Sequence, residues 1–218
     1  MRTPLRLLVS LTLVLAACRG QSGAETPPPP EPPVRPLAPL AAQQVIVAPA
    51  HSLREVDALG WTAQIPRTRD YLRSLDTMIE AELTARGLGR QWVYPAALVR
   101  AQKASPSYAI DPYTLAANPL RSPNVVAGTR LGDPLVSQLR TMVALQESAR
   151  AVLLPVELRF EKDSKTGQGT AVLRVALLDG RIGEVRWIGD VKSEPSATFS
   201  NALLTSVAGK VADLITAP

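Results

Sequence analysis

Residues 171–191 read AVLRVALLDGRIGEVRWIGDV. Ala171 to Leu178 is an apolar run broken only by Arg174. Asp179-Gly180 is a turn signal. Glu184 to Val191 then alternates, with Val185, Trp187 and Val191 on one side. The stretch therefore predicts two antiparallel strands joined by a short turn. Upstream, Val152 to Glu161 alternates as well, with Val156, Leu158 and Phe160 on one face against Glu157, Arg159 and Glu161. Lys162 to Gly169 is the polar turn between them, so the three strands form a meander. Downstream, Phe199, Leu203, Val207, Val211 and Leu214 recur at helical spacing and predict an amphipathic helix over Ser196 to Ile215.

Working back toward the N-terminus, Asp133-Pro134 has the form of an N-cap followed by Pro at the first helical position. The helix predicted from there to Ser148 turns Leu135, Leu139, Met142 and Val143 inward. Residues 104–133 lack any period. Pro106, Pro112, Pro119 and Pro123 punctuate them, which predicts a long irregular insertion with one helical turn at Tyr113 to Ala117. Ala96 to Lys103 suits a short helix, and Gln91-Trp92-Val93-Tyr94 a strand closed by Pro95. Leu72, Leu75, Ile79 and Leu83 make one stripe of a helix over Arg69 to Arg86, with Thr68 as N-cap and Gly87 as C-cap. Arg73, Asp76 and Glu80 are read as lying off that stripe. Val45-Ile46-Val47-Ala48 is a buried strand ended by Pro49. The order predicts an α/β fold (α+β sandwich): a mixed sheet of about five strands with amphipathic helices packed on it.

The first 42 residues read differently. Met1, Arg2 and Arg6 precede an apolar run from Leu7 to Ala17, too short for the about 20 residues that span a bilayer. A basic start, a short apolar core and small residues before a cut site make a secretory signal peptide over residues 1–17. Leu15-Ala16-Ala17-Cys18 resembles the lipobox of bacterial lipoproteins. That resemblance implies signal-peptidase recognition through Leu15, Ala16 and Ala17. It also implies cleavage before Cys18 and covalent diacylglycerol and N-acyl lipid on that residue. Cys18 is the only cysteine, so an intramolecular disulfide is impossible. Arg19 stands where Asp would retain such lipoproteins at the inner membrane, which implies an outer-membrane anchor facing the periplasm. Residues 18–42 form the expected tether. Within it, Pro27 to Pro36 favours polyproline II, rising about 3.1 Å per residue, and cannot build a core. The folded domain is expected over residues 43–218.

The formal charge is +5, from 24 basic and 19 acidic side chains. Arg2 and Arg6 leave with the signal peptide, and the remaining basic residues are interspersed with acids. No Lys/Arg cluster appears in the sequence, so no nucleic-acid partner is expected. Catalytic motifs are absent as well. His51 is the single histidine and sits just after a strand, where a solvated ring is the simplest reading. No G-x-S-x-G elbow is present. Gly167-Gln168-Gly169-Thr170 lies in a hairpin turn rather than before a helix, so it is no phosphate loop. Glu80 and Glu82 point to different helix faces, and Asp111 has no evident partner. No enzyme activity, metal or cofactor is expected apart from the lipid on Cys18.

The series VAPA (47–50), ARGLG (85–89), QWVYP (91–95), ARAVLLPVELRF (149–160), the 172–191 hairpin and ALLTSVAGKVADLI (202–215) resembles two bacterial envelope domains. These are the periplasmic α/β domain of curli-secretion channel lipoproteins and the amino-terminal domain of TolB. Asp179, Gly183, Val185, Trp187 and Gly189 fit the hairpin of that pattern, and the resemblance covers residues 43–103 and 134–218. The insertion contains no alternating apolar hairpin, so pore formation is not expected. The resemblance implies a lipid-anchored envelope protein, an accessory component of an outer-membrane assembly, secretion or transport system. It would act on an envelope protein partner or on further copies of itself. Tyr108, Tyr113 and Leu115 in the insertion are the candidate contacts. The alternative is a periplasmic small-molecule or glycan-binding lipoprotein, with Trp61, Trp92 and Trp187 as candidate pocket walls.

Overall fold

The structure is a computed structural model and describes residues 35–146 and 149–217. The expected signal peptide, Leu15, Ala16, Ala17, Cys18 and most of the tether lie outside the described residues.

The elements are β1 (Val45–Val47), α1 (Thr68–Ala85), α2 (Pro95–Ala104), α3 (Leu135–Ala144), β2 (Ala151–Lys162), β3 (Gly169–Asp179), β4 (Glu184–Lys192) and α4 (Ala202–Asp213). The sheet is mixed and four-stranded, in the order β1-β2-β3-β4. β1 runs parallel to β2, and the other pairs are antiparallel. The α/β class with helices packed on a mixed sheet is thus as expected, with four strands rather than about five. The missing strand is Gln91–Tyr94. Only Val93 pairs, accepting from the Val47 N–H at 2.8 Å and donating to the Val45 carbonyl at 2.9 Å. Pro95 starts α2 immediately afterwards and leaves no length for a ladder.

Two cores flank the sheet. On one face, Leu72, Leu75, Ile79 and Leu83 of α1 and Leu203, Val207 and Val211 of α4 pack on Val47, Leu158, Leu173 and Val175. On the other face, Leu135, Leu139 and Met142 of α3 and Leu98 of α2 pack on Ile46, Val152, Leu154, Val156 and Leu178. β3 is buried on both faces, which explains its nearly unbroken apolar run. The one charged side chain inside that run, Arg174, leaves the sheet toward the insertion. It donates to the Leu120 carbonyl at 2.8 Å and the Ser122 carbonyl at 2.9 Å.

Several boundaries differ from expectation for local reasons. Val156 does not share a face with Leu158 and Phe160. A β-bulge between Pro155 and Glu157 shifts the register, so the side chains change face across it. α4 begins at Ala202, not Ser196, because Ser196 exchanges two hydrogen bonds with Gly169 at 2.8 Å each. α3 ends at Ala144, before Ser148. Thr68 is the first helical residue of α1 rather than its cap, whereas Gly87 takes the positive φ of 88° expected of a helix terminator. Packed structure begins before residue 43, the expected start of the folded domain. Leu37 and Leu40 are buried, a 3₁₀ turn spans Ala38–Ala42, and the Leu37 N–H donates to the Leu214 carbonyl at 3.0 Å. Two leucines within the Pro-rich stretch supply apolar burial that the prolines alone could not.

The insertion is packed rather than free-standing. It holds 3₁₀ turns at Pro112–Thr114 and Asn118–Arg121, and Leu115, Ala117 and Leu120 enter the core under α3. Its last part adds to the edge of β4: Gly128 donates to the Val185 carbonyl at 2.7 Å, and the Val185 N–H to Thr129 at 2.9 Å. Beyond that contact no further strand joins β4 among the described residues.

Candidate functional site

A concavity lined by chemically varied side chains forms where β1 fails. Pro49 has no N–H, so the strand ladder stops. The next N–H, of Ala50, turns to α1 and donates to Asp76 Oδ1 at 2.6 Å. The chain then rejoins the β2 edge, His51 donating to the Pro155 carbonyl at 3.0 Å and Leu158 to the Ser52 carbonyl at 2.8 Å. The kink at Pro49 thus lies against the bulge at Pro155. The insertion closes the other side. Asp111 accepts from the Tyr113 N–H at 3.0 Å and fixes the turn, placing the Tyr113 ring 5.4 Å below the Arg73 guanidinium. Between them lies a cleft of about 330 Å³ lined by His51, Thr68, Arg73, Asp111, Tyr113 and Thr114, among others.

Its electrostatics are set by burial. Asp76 is 7% exposed, and its Oδ2 has no partner. Desolvation pushes its carboxyl up to about 7, Glu80 adds to the rise, and the Ala50 N–H and Arg73 oppose it. His51 is held below its ordinary value, first by burial and then by Arg121, with the Leu115 carbonyl pulling the other way. Its Nδ1 is buried without a partner. Burial also raises the Tyr113 hydroxyl, helped by Asp76 and opposed by Arg73. The cleft therefore offers an aromatic face, a guanidinium, hydroxyls and an imidazole, the equipment of a small polar binding site.

The structure sorts the residues singled out from sequence. Tyr108 is 79% exposed and remains available for contacts. Tyr113 walls the cleft. Leu115 is 2% exposed and belongs to the core, so it cannot serve as a surface contact. Trp61 and Trp92 are core residues rather than pocket walls. Trp61 sits edge-on to Phe160, with ring centroids 5.6 Å apart. Trp187 is half-buried and packs on the α1–α4 side core. His51 is not the solvated ring expected, since its Nδ1 is buried, and it lines the cleft together with Asp111. Asp76 does not lie off the apolar stripe but is buried with it. It stands four residues after Leu72 and three before Ile79, a spacing that does mark the inward face. Among the described residues no helix is long and apolar enough to cross a membrane, and no cluster of His, Cys, Asp or Glu is placed to hold a metal ion.

No protein-family profile matches the chain. No curated protein matches it either. Solved structures do. The PelC dodecamer from Paraburkholderia phytofirmans matches at a TM-score of 0.38 and 16% identity, over 86% of this chain and 94% of that one. E. coli LpoB matches at 0.36 and 12%, over 89% and 86%. Lipoprotein GNA1162 from Neisseria meningitidis matches at 0.35 and 20%, over 77% and 92%. None of these three is a curli-secretion channel or a TolB domain, and likeness at this level concerns chain path alone.

Proposed function

We propose that this protein is a lipid-anchored cell-envelope protein without enzymatic activity. It works through protein contacts as an accessory component of an outer-membrane assembly, secretion or transport system. The observation that carries the reading is Cys18, the only cysteine, directly after Leu15-Ala16-Ala17 and ahead of a Pro-rich stretch leading to a folded domain. The contact surfaces that support it are the outer edge of β4 beyond Val185 and exposed Tyr108 on the insertion. An unpaired edge strand is a template for another chain. The test is labelling in cells with an alkyne-bearing palmitate, followed by extraction in mild detergent and native mass measurement. Label that disappears in Cys18→Ser, together with co-eluting envelope proteins, is the expected result. An unlabelled wild-type chain would refute the anchor, and a clean labelled monomer would refute the contact role.

The cleft favours a second reading, a small-molecule or glycan-binding lipoprotein. Its ring, hydroxyls and guanidinium suit a polyhydroxylated ligand. Titration with mono- and disaccharides should then raise the unfolding temperature of the wild type but not of Tyr113→Ala.

A further inference from the structure

The chain shows no basic cluster along its sequence, yet the fold gathers five arginines from five separate places at one end of the sheet. Arg130 comes from the insertion, Arg140 from α3, Arg150 from the approach to β2, Arg181 from the β3–β4 turn and Arg186 from β4. Shared carboxylates link Arg130, Arg150 and Arg186, and Arg140 lies against the turn that carries Arg181. Arg150 and Arg186 both reach the same Asp179 Oδ2, at 2.7 and 3.2 Å. Arg186 continues to Glu184 at 2.8 Å, which Arg130 also approaches at 3.7 Å. Arg140 donates to the Arg181 carbonyl at 2.9 Å.

The acids here do not neutralise the patch. Asp179 is buried, and burial by itself would raise its carboxyl. Hydrogen bonds from Arg186 and Arg150 outweigh that and hold it below its ordinary value, so it stays ionised. One carboxylate oxygen thus serves two guanidiniums, whose side chains remain 55% and 47% exposed. Glu184 is likewise shared between two arginines. Asp133, near Arg140, is hydrogen-bonded to Ser137. Among the described residues five positive charges face three negative ones, and of those acids only Asp133 is fully exposed.

The patch borders a groove of about 340 Å³ whose walls include Pro36, Leu37, Leu40 and Leu177, with Arg150 and Arg186 at its rim. Pro36 to Leu40 are the residues through which the chain leaves the domain toward Cys18. Arg150 and Arg186 therefore flank the segment through which the chain leaves the domain.

We propose that this arginine-rich end docks on an anionic phospholipid surface, with headgroup phosphates at the Arg150–Arg186 pair and its neighbours. Two arguments select that occupant. Guanidinium forks match phosphate oxygens in geometry as well as charge. The tether also holds this end, of all the ends of the domain, closest along the chain to the membrane. That second argument rests on the lipid-anchor reading. The tether acts as a leash that keeps the local concentration of bilayer high, and the patch decides which end meets the lipid.

The test uses the full chain carrying Cys18→Ser, so adhesion owes nothing to the lipid. It is mixed with vesicles of phosphatidylcholine alone or with phosphatidylglycerol added, at low and high salt, and bound protein is measured by sedimentation. Binding should require phosphatidylglycerol and vanish at high salt, where the Debye length falls to about 3 Å. Arg140→Gln with Arg181→Gln should weaken it roughly 30-fold, while Arg67→Gln with Arg69→Gln, at the start of α1, should leave it unchanged. The leader is common to all variants and cancels in the comparison. Equal binding to both vesicle types, equal loss in both double variants, or preference for a DNA duplex over vesicles at matched phosphate would each overturn the proposal. Failure of palmitate labelling in the wild type would count against the anchor alone.

Discussion

Asp76 sets burial against hydrogen bonding. Its Oδ1 receives the Ala50 N–H that Pro49 leaves without a ladder partner, and its Oδ2 has nothing. The groups that face it are Arg73 and Glu80 on its own helix, Tyr113 from the insertion and the backbone of Ala50. A carboxyl pushed from 3.8 to about 7 stabilises the fold fully below pH 4, and loses that contribution as pH rises through 7. The gap corresponds to roughly 4 kcal/mol at most. His51 acts with the opposite sign: its lowered value favours the fold above pH 6.5 and is lost on acidification. Asp76→Asn keeps an acceptor for Ala50 and removes the ionisation. It should leave stability at pH 5 within about 1 kcal/mol, raise it by about 2 kcal/mol at pH 8 and flatten the profile between, as read from urea midpoints. Asp76→Ala should instead cost about 1–3 kcal/mol at pH 5, because the Ala50 N–H is then orphaned.

α1 and α4 are held together by an apolar seam and one polar clamp. Arg86, at the end of α1, donates to Asp213 Oδ1 at 2.8 Å and to the Thr216 and Gly209 carbonyls at 3.2 Å each. A helix C-terminus carries unsatisfied carbonyls and favours a cation, and the rigid guanidinium fork spreads its donors over all three acceptors, which one ammonium nitrogen does not match in geometry. Arg86→Lys should therefore cost about 1–3 kcal/mol in urea unfolding despite keeping the charge. The seam itself was legible from sequence, since Leu72, Leu75, Ile79, Leu83, Leu203, Val207 and Val211 all point inward as their spacing requires. The phase of β2 was not. Period-two reading carries through any residue, and Pro155 gives no sign of how many residues its bulge inserts.

On the scale of the molecule, the insertion is bound to the sheet by Arg174 and by Leu115, Ala117 and Leu120. Arg174→Ala removes two hydrogen bonds to insertion carbonyls and the 3.6 Å approach to Asp190. Amide exchange over residues 112–128 should rise about tenfold or more, while the α1–α4 seam keeps its protection. Uniform acceleration would show that the insertion is part of the global folding unit.

Local pattern sufficed for the α/β class and the inward faces of the helices, because those features repeat within a few residues along the chain. Tertiary structure alone brought His51, Asp111 and Tyr113 around one cleft, buried Asp76 and Leu115, packed Leu37 and Leu40 into the domain and gathered five scattered arginines at one end of the sheet. Each of these depends on residues tens of positions apart becoming neighbours, and neither spacing nor composition carries that information.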